Sequence, residues 1–174
     1  MSEPEGRRAA WTDERGAPAT SEEGRRRAQA PRPAERGAEL SPAILHGRMV
    51  VPGIAEGEAL VSHEPISGWG GIDPARGVII EPRHELHGVC FTGKILVFPS
   101  AKGSSGWSGF FQTTRLSGTA PIGMVIGRIS TKSALGAVVT RVPAVTDLDD
   151  DPCEVIATGD WVRIDNGRVE VFKK

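Results

Sequence analysis

The sequence predicts an α+β domain rich in strands, preceded by a disordered N-terminal tail. Three observations carry this expectation. The chain has 174 residues, 39% of them hydrophobic and 25% charged, an ordinary globular balance. Its 22 glycines and 13 prolines imply many tight turns. Aromatic residues make up only 5%, without tyrosine, so Val, Ile, Leu and Ala must fill the core.

Residues 1–43 read as the tail. Arg7, Arg8, Arg25, Arg26 and Arg27 are interspersed with Glu3, Glu5, Glu22 and Glu23, and apolar side chains are scarce apart from Trp11 and Leu40. Such a segment buries too little surface to offset the entropy of ordering it. An organelle transit peptide is the alternative, and the interspersed acids argue against it. Residues 44–174 form the second unit, about 130 residues, enough for one core.

Along this body, residues 49–51 and 59–61 are predicted strands on either side of the Pro52-Gly53 turn. Trp69-Gly70-Gly71 followed by Asp73-Pro74 is a loop. Residues 78–80 form a short strand. Residues 94–98 form a buried one, whose Ile95-Leu96-Val97-Phe98 run stops at Pro99. A small, polar loop follows at 100–106. Residues 107–116 then predict a helix with Phe110 and Phe111 facing inward. Residues 121–126 are a further strand, 133–135 a helical turn and 137–140 a strand. Residues 160–164 and 168–172 flank Asp165-Asn166-Gly167, a strong hairpin signal because the two central residues tolerate positive φ.

Net charge is −1, which offers no basic face for nucleic acid or anionic membranes. No apolar run approaches the ~20 residues of a membrane helix, and no signal-peptide core is present, so a cytoplasmic location is the default expectation. Cys90 and Cys153 cannot make a disulfide framework or a closed zinc site. His46, His63, His84 and His87 form no zinc pattern, and Asp149-Asp150-Asp151 reads as a solvated acidic loop, so no metal ligands are expected on this chain.

One segment carries chemistry: the strand–loop–helix at residues 94–116. The first-turn N–H groups of a helix lack intrahelical partners and, with the macrodipole, favour negative charge. A serine hydroxyl or a substrate anion is stabilised there. Lys102, Gly103, Ser104 and Ser105 occupy this place. Gly103 allows close backbone approach. Ser104 as a plain N-cap is the competing explanation. A phosphate-binding P-loop fits poorly, because its Gly-Lys-Ser/Thr spacing is absent. Lys102 is either a local cation supporting the serine or an exposed loop lysine. Trp69 and Trp107 are either interface and pocket anchors or core residues.

Read together, several ordered motifs resemble the small subunit of aconitase X, a swivelling domain long catalogued without a function. They are Gly53-Ile54-Ala55-Glu56-Gly57-Glu58-Ala59-Leu60-Val61, Ile66-Ser67-Gly68-Trp69-Gly70-Gly71-Ile72-Asp73, Leu86-His87-Gly88, Gly93-Lys94-Ile95-Leu96-Val97-Phe98-Pro99, Lys102-Gly103-Ser104-Ser105, Ala120-Pro121-Ile122 and Thr158-Gly159-Asp160. The resemblance spans residues 46–172 and implies a swivelling β/β/α domain of the aconitase type. It further implies a hydro-lyase acting only with a large subunit, which carries the iron–sulfur cluster. By the same resemblance Ser104 is the catalytic base and Ser105 its supporting neighbour; Gly103, Ser105 and Lys102 are the candidate substrate-binding residues. The implied substrate is a small hydroxy acid, with cis-3-hydroxy-L-proline favoured and mevalonate 5-phosphate the alternative. Two positions depart from the pattern. Gly106 stands where aconitase has an arginine, and Trp107 replaces a small residue, which leaves the pocket shape open. A non-catalytic binding or regulatory module is a second class of function, and a phosphocarrier with a phosphorylated histidine a third.

Overall fold

The computed structural model describes residues 41–174. The expected tail spans residues 1–43; residues 1–40 of it lie outside the described residues. The first strand opens at Ala43.

In chain order the strands are β1 (Ala43–His46), β2 (Arg48–Val51), β3 (Ile54–Val61), β4 (Ile66–Ser67), β5 (Ile72–Asp73), β6 (Val78–Ile79), β7 (Ile95–Phe98) and β8 (Ala101–Lys102). After helix α1 (Trp107–Leu116) come β9 (Gly123–Ile126), α2 (Thr131–Thr140), β10 (Ala144–Thr146), α3 (Pro152–Val155), β11 (Trp161–Asp165) and β12 (Arg168–Phe172). Eight strands pair in the order β1-β12-β11-β3-β7-β9-β10-β2. The first and last of these are separated in sequence only by Gly47, so one chain segment borders both ends of the strand order. Gly47 must be small there, since a Cβ would lie 2.6 Å from the Thr146 carbonyl oxygen.

β3, β7, β9 and β10 run parallel, with Leu60 opposite Leu96 and Val125 opposite both Val97 and Val145. β7, β9 and β10 are buried on both faces, which explains the unbroken apolar run of β7. Alternation sends them into two cores. Ala59, Val61, Ile95, Val97, Val125 and Val145 join the inward residues of β11 and β12. Leu60, Leu96, Phe98, Met124 and Ile126 face the helices, where Trp107 stacks on Phe111 at 4.0 Å between ring centroids.

The Asn166-Gly167 hairpin forms as expected, with Asn166 at φ 53. Helix α1 occupies the predicted residues, although Phe110 is only half-buried while Phe111 is fully buried. The predicted turn at 133–135 and strand at 137–140 are instead one helix, α2. Ser130 caps it, exchanging hydrogen bonds with Ser133 in a capping box, and Arg141 ends it in the left-handed conformation at φ 59. Its buried residues Ser133, Gly136, Ala137 and Thr140 have helical spacing. β10, which lies between β9 and β2, was not anticipated.

Candidate active site

The loop after β7 is held in place from beneath. β8 pairs in parallel with β4, setting Ile66 opposite Ala101 and Ser67 opposite Lys102. The Ile66 N–H donates to the Ser100 carbonyl at 3.1 Å. Trp107 locks the other side: its indole N–H donates to the Ile66 carbonyl at 2.9 Å, and its ring is 1% exposed. Trp107 is therefore a core residue. Its side chain is spent in the core rather than on the surface of the serine loop. Gly136 makes room for it, and Gly68 packs against its backbone.

Gly103 takes φ +89, and a Cβ there would stand 3.0 Å from Ser67 Oγ. Ser104 and Ser105 are exposed. Ser104 Oγ accepts a hydrogen bond from the Gly106 N–H at 3.3 Å, and the Ser104 carbonyl accepts from the Trp107 N–H at 3.2 Å. The N-cap of α1 is Gly106, without a side-chain cap, so Ser104 is not the capping residue. It lies two residues upstream, its hydroxyl exposed ahead of the positive end of α1. No acidic residue stands in the first turn of α1 to cancel that field. The Ser105 carbonyl accepts from Ser108 Oγ at 3.4 Å.

Lys102 is partly exposed and pairs with Glu81, Nζ to Oε1 2.7 Å. Lys132, from the first turn of α2, donates to the Gly103 carbonyl at 2.5 Å. Two ammonium groups thus flank the serine loop. Sequence reasoning named Lys102 and missed Lys132 and Glu81, which lie 28 residues after and 23 residues before Ser104 with no motif linking them. Trp69 stands 74% exposed beside the same loop, its ring 6.0 Å from that of Phe110.

The other candidates lie elsewhere. His84 is buried, its Nδ1 accepting the Leu86 N–H at 3.1 Å and its Nε2 3.4 Å from Ser62 Oγ, an internal brace with no access for a phosphoryl donor. Cys90 is exposed; Cys153 is buried, and burial, followed by the nearby charges of Asp151 and Glu154, pushes its thiol up to about 12. A thiol held protonated in this way is a poor metal ligand. Among the described residues no group of three or more His, Cys, Asp or Glu gathers to hold a metal ion, so these residues do not fit an iron–sulfur cluster. Asp149 and Asp151 serve the backbone, accepting from the His46 and Cys153 N–H groups. With Arg128 they border an open groove of about 490 Å³ that reaches Ser100.

Comparison with known proteins supplies the wider context. A family model described as the aconitase X swivel domain matches residues 44–172. The phosphomevalonate dehydratase small subunit of Methanosarcina acetivorans is 37% identical over 136 residues, 77% of this chain and 94% of that protein. The protein of the same name from Thermococcus gammatolerans is 40% identical over 130 residues, 74% of this chain and 97% of its own length. The crystal structure of aconitase X from Thermococcus kodakaraensis, in its holo form, aligns with a TM-score of 0.71 at 36% identity, covering 75% of this chain and 99% of that one. A match over nearly the whole described body, shared by sequence and by fold, means that this chain belongs to the aconitase X family, as its swivel domain.

Proposed function

We propose that the chain is the small subunit of a phosphomevalonate dehydratase and that Ser104 Oγ is the base that removes the substrate proton. The observation carrying this reading is the near-complete coverage of small subunits bearing that name, at 37% and 40% identity. Those relatives support mevalonate 5-phosphate and give no support to cis-3-hydroxy-L-proline, the substrate favoured from the sequence. The site's charge agrees: a substrate bearing a phosphate and a carboxylate suits a loop flanked by Lys102 and Lys132 at the positive end of α1.

Elimination of water takes a proton from one carbon and hydroxide from its neighbour, leaving a double bond. Serine is a weak base unless its alkoxide is stabilised. The exposed Ser104 hydroxyl already accepts one N–H bond and faces the helix N-terminus. Gly103 and Ser105 present backbone close to the substrate, and Lys102 adds positive charge. With Ser104 in its alkoxide form, the proton moves from the substrate carbon to Oγ and restores the hydroxyl. Departure of the hydroxyl falls to the large subunit, which in this reading also holds the iron–sulfur cluster. A cytoplasmic location suits the two unpaired thiols. Among the described residues no helix is long and apolar enough to cross a membrane.

The test is dehydration of mevalonate 5-phosphate by the chain co-expressed with a candidate large subunit, with cis-3-hydroxy-L-proline run alongside. Turnover of the phosphate ester that needs both chains is expected. Ser104→Ala should lower kcat by about 10³-fold or more while the complex survives. Near-normal turnover by that variant would eliminate the base assignment and favour a binding or regulatory role.

A further inference from the structure

Among the described residues one buried side-chain oxygen or nitrogen has no hydrogen-bond partner: Oε2 of Glu81. Its sister Oε1 holds Lys102 Nζ at 2.7 Å. Unsatisfied buried polar atoms are rare in folded proteins, and each calls for a reason. A carboxylate half cut off from water is costly to keep without a compensating charge. Lys102 is the one cation paired with it among the described residues.

The placement of Glu81 is tightly determined. Its carbonyl accepts from the His84 N–H and from His87 Nδ1, each at 3.1 Å, and its own N–H donates to the Gly71 carbonyl at 3.3 Å. Gly71 is pressed onto Ser67, where a Cβ would fall 2.2 Å from the Ser67 carbonyl oxygen. Ser67 pairs with Lys102 in the β4–β8 ladder. The path from Glu81 through Gly71, Ser67 and Lys102 back to Glu81 is a closed ring of backbone and ion-pair contacts. Gly103 and Ser104 leave this ring directly.

We propose that Glu81 is a positioning residue. It fixes the Lys102 ammonium beside the Gly103-Ser104 loop, and the segments at 66–73 and 84–87 exist in part to hold Glu81. This inference rests on the reading of Ser104 as the base. A lysine on a free stem spreads its charge over many rotamers in screened solvent. Tied to a carboxylate whose second oxygen is buried, it is held in one place. So held, Lys102 fixes the end of the strand from which Gly103 and Ser104 continue, and with it the place of the serine.

Two measurements test the proposal on the full chain. The first is kinetic, in the complex with the large subunit, using Glu81→Gln, Lys102→Met and the double variant on mevalonate 5-phosphate. Glu81→Gln should cut kcat by about tenfold with KM little changed, Glu81→Asp should recover part of the loss, and the double variant should be no worse than Lys102→Met alone. Unchanged turnover, or losses that simply multiply, overturns the proposal and leaves the Ser104 assignment standing. Full activity of Ser104→Ala in the same assay removes the base reading, and this inference with it. The second measurement needs no substrate. In amide spectra of the isolated chain, Glu81→Gln and Lys102→Met should shift the same resonances from 102–106. Resonances there that ignore Glu81→Gln overturn the proposal on structural grounds alone.

Discussion

At the scale of single residues, Glu85 shows how a surface carboxylate becomes structural. Its burial works to raise its pKa, but donors outweigh that. The backbone N–H and imidazole of His63, the Ser62 hydroxyl and the Glu64 N–H together hold it below its ordinary value of 4.5. A group whose folded pKa is depressed contributes stability above its unfolded pKa and loses it as pH falls through the folded value. Glu85→Gln should therefore melt below the wild type at neutral pH, with the gap closing as the pH drops below about 4.5. Thermal melts of both proteins across that range check this; a gap independent of pH assigns the loss to packing rather than to charge. Similar reasoning explains what the sequence did and did not disclose about the site. Lys102, Gly103, Ser104 and Ser105 are contiguous, so a motif could show them. Glu81 and Lys132 reach the loop only through the β4–β8 ladder and the packing of α2, neither of which leaves a spacing to read.

At the scale of elements, legibility follows the strength of the local signal. β7 was readable because a strand buried on both faces must be apolar throughout, and the β11–β12 hairpin because Asn166-Gly167 fits little else. Helix α2 was misread because its buried stripe is made of Ser133, Gly136, Ala137 and Thr140, small residues that carry no apolar period. Leu135 and Val138 point outward at about half exposure, and the Val138-Val139 pair suggested a strand. The small stripe is there because Trp107 needs the room. A Cβ at Gly136 would meet the Trp107 ring at 2.1 Å. Gly136→Ala gains about 1 kcal/mol of helix propensity but overpacks by a methyl group, a cost of about 1–3 kcal/mol. We expect a net loss of stability in chemical denaturation. The loss should be relieved by Trp107→Phe in the same chain, because the two changes share one cavity. A Gly136→Ala protein as stable as the wild type would mean that Trp107 can shift, and that the floor of the serine loop is softer than the contacts imply.

At the scale of the molecule, the functional loops share one origin. The segments after β3, β7, β9 and β10 all leave the carboxyl ends of parallel strands, the edge where open and closed α/β sheets gather their ligands. Those loops bring one exposed serine and two lysines to a single edge, which in the proposed reading is the share of the active site that the small subunit supplies. A half-site must meet its complement face to face, and Trp69 is the large apolar group that stands proud of it, 74% exposed and leaning on Phe110. An exposed tryptophan beside a reactive loop is a typical interface anchor, filling a pocket on the partner and shutting water out. Trp69→Ala should weaken binding of the large subunit by about 2 kcal/mol, close to thirtyfold in Kd, as read by titration of one subunit into the other. Its melting temperature should stay near that of the wild type, since the ring buries little surface within its own chain. Saturating the large subunit should then restore turnover, because Ser104 and its lysines are untouched. If affinity is unchanged but turnover falls, Trp69 faces the substrate rather than the partner, and the contact between the two chains lies farther from the serine.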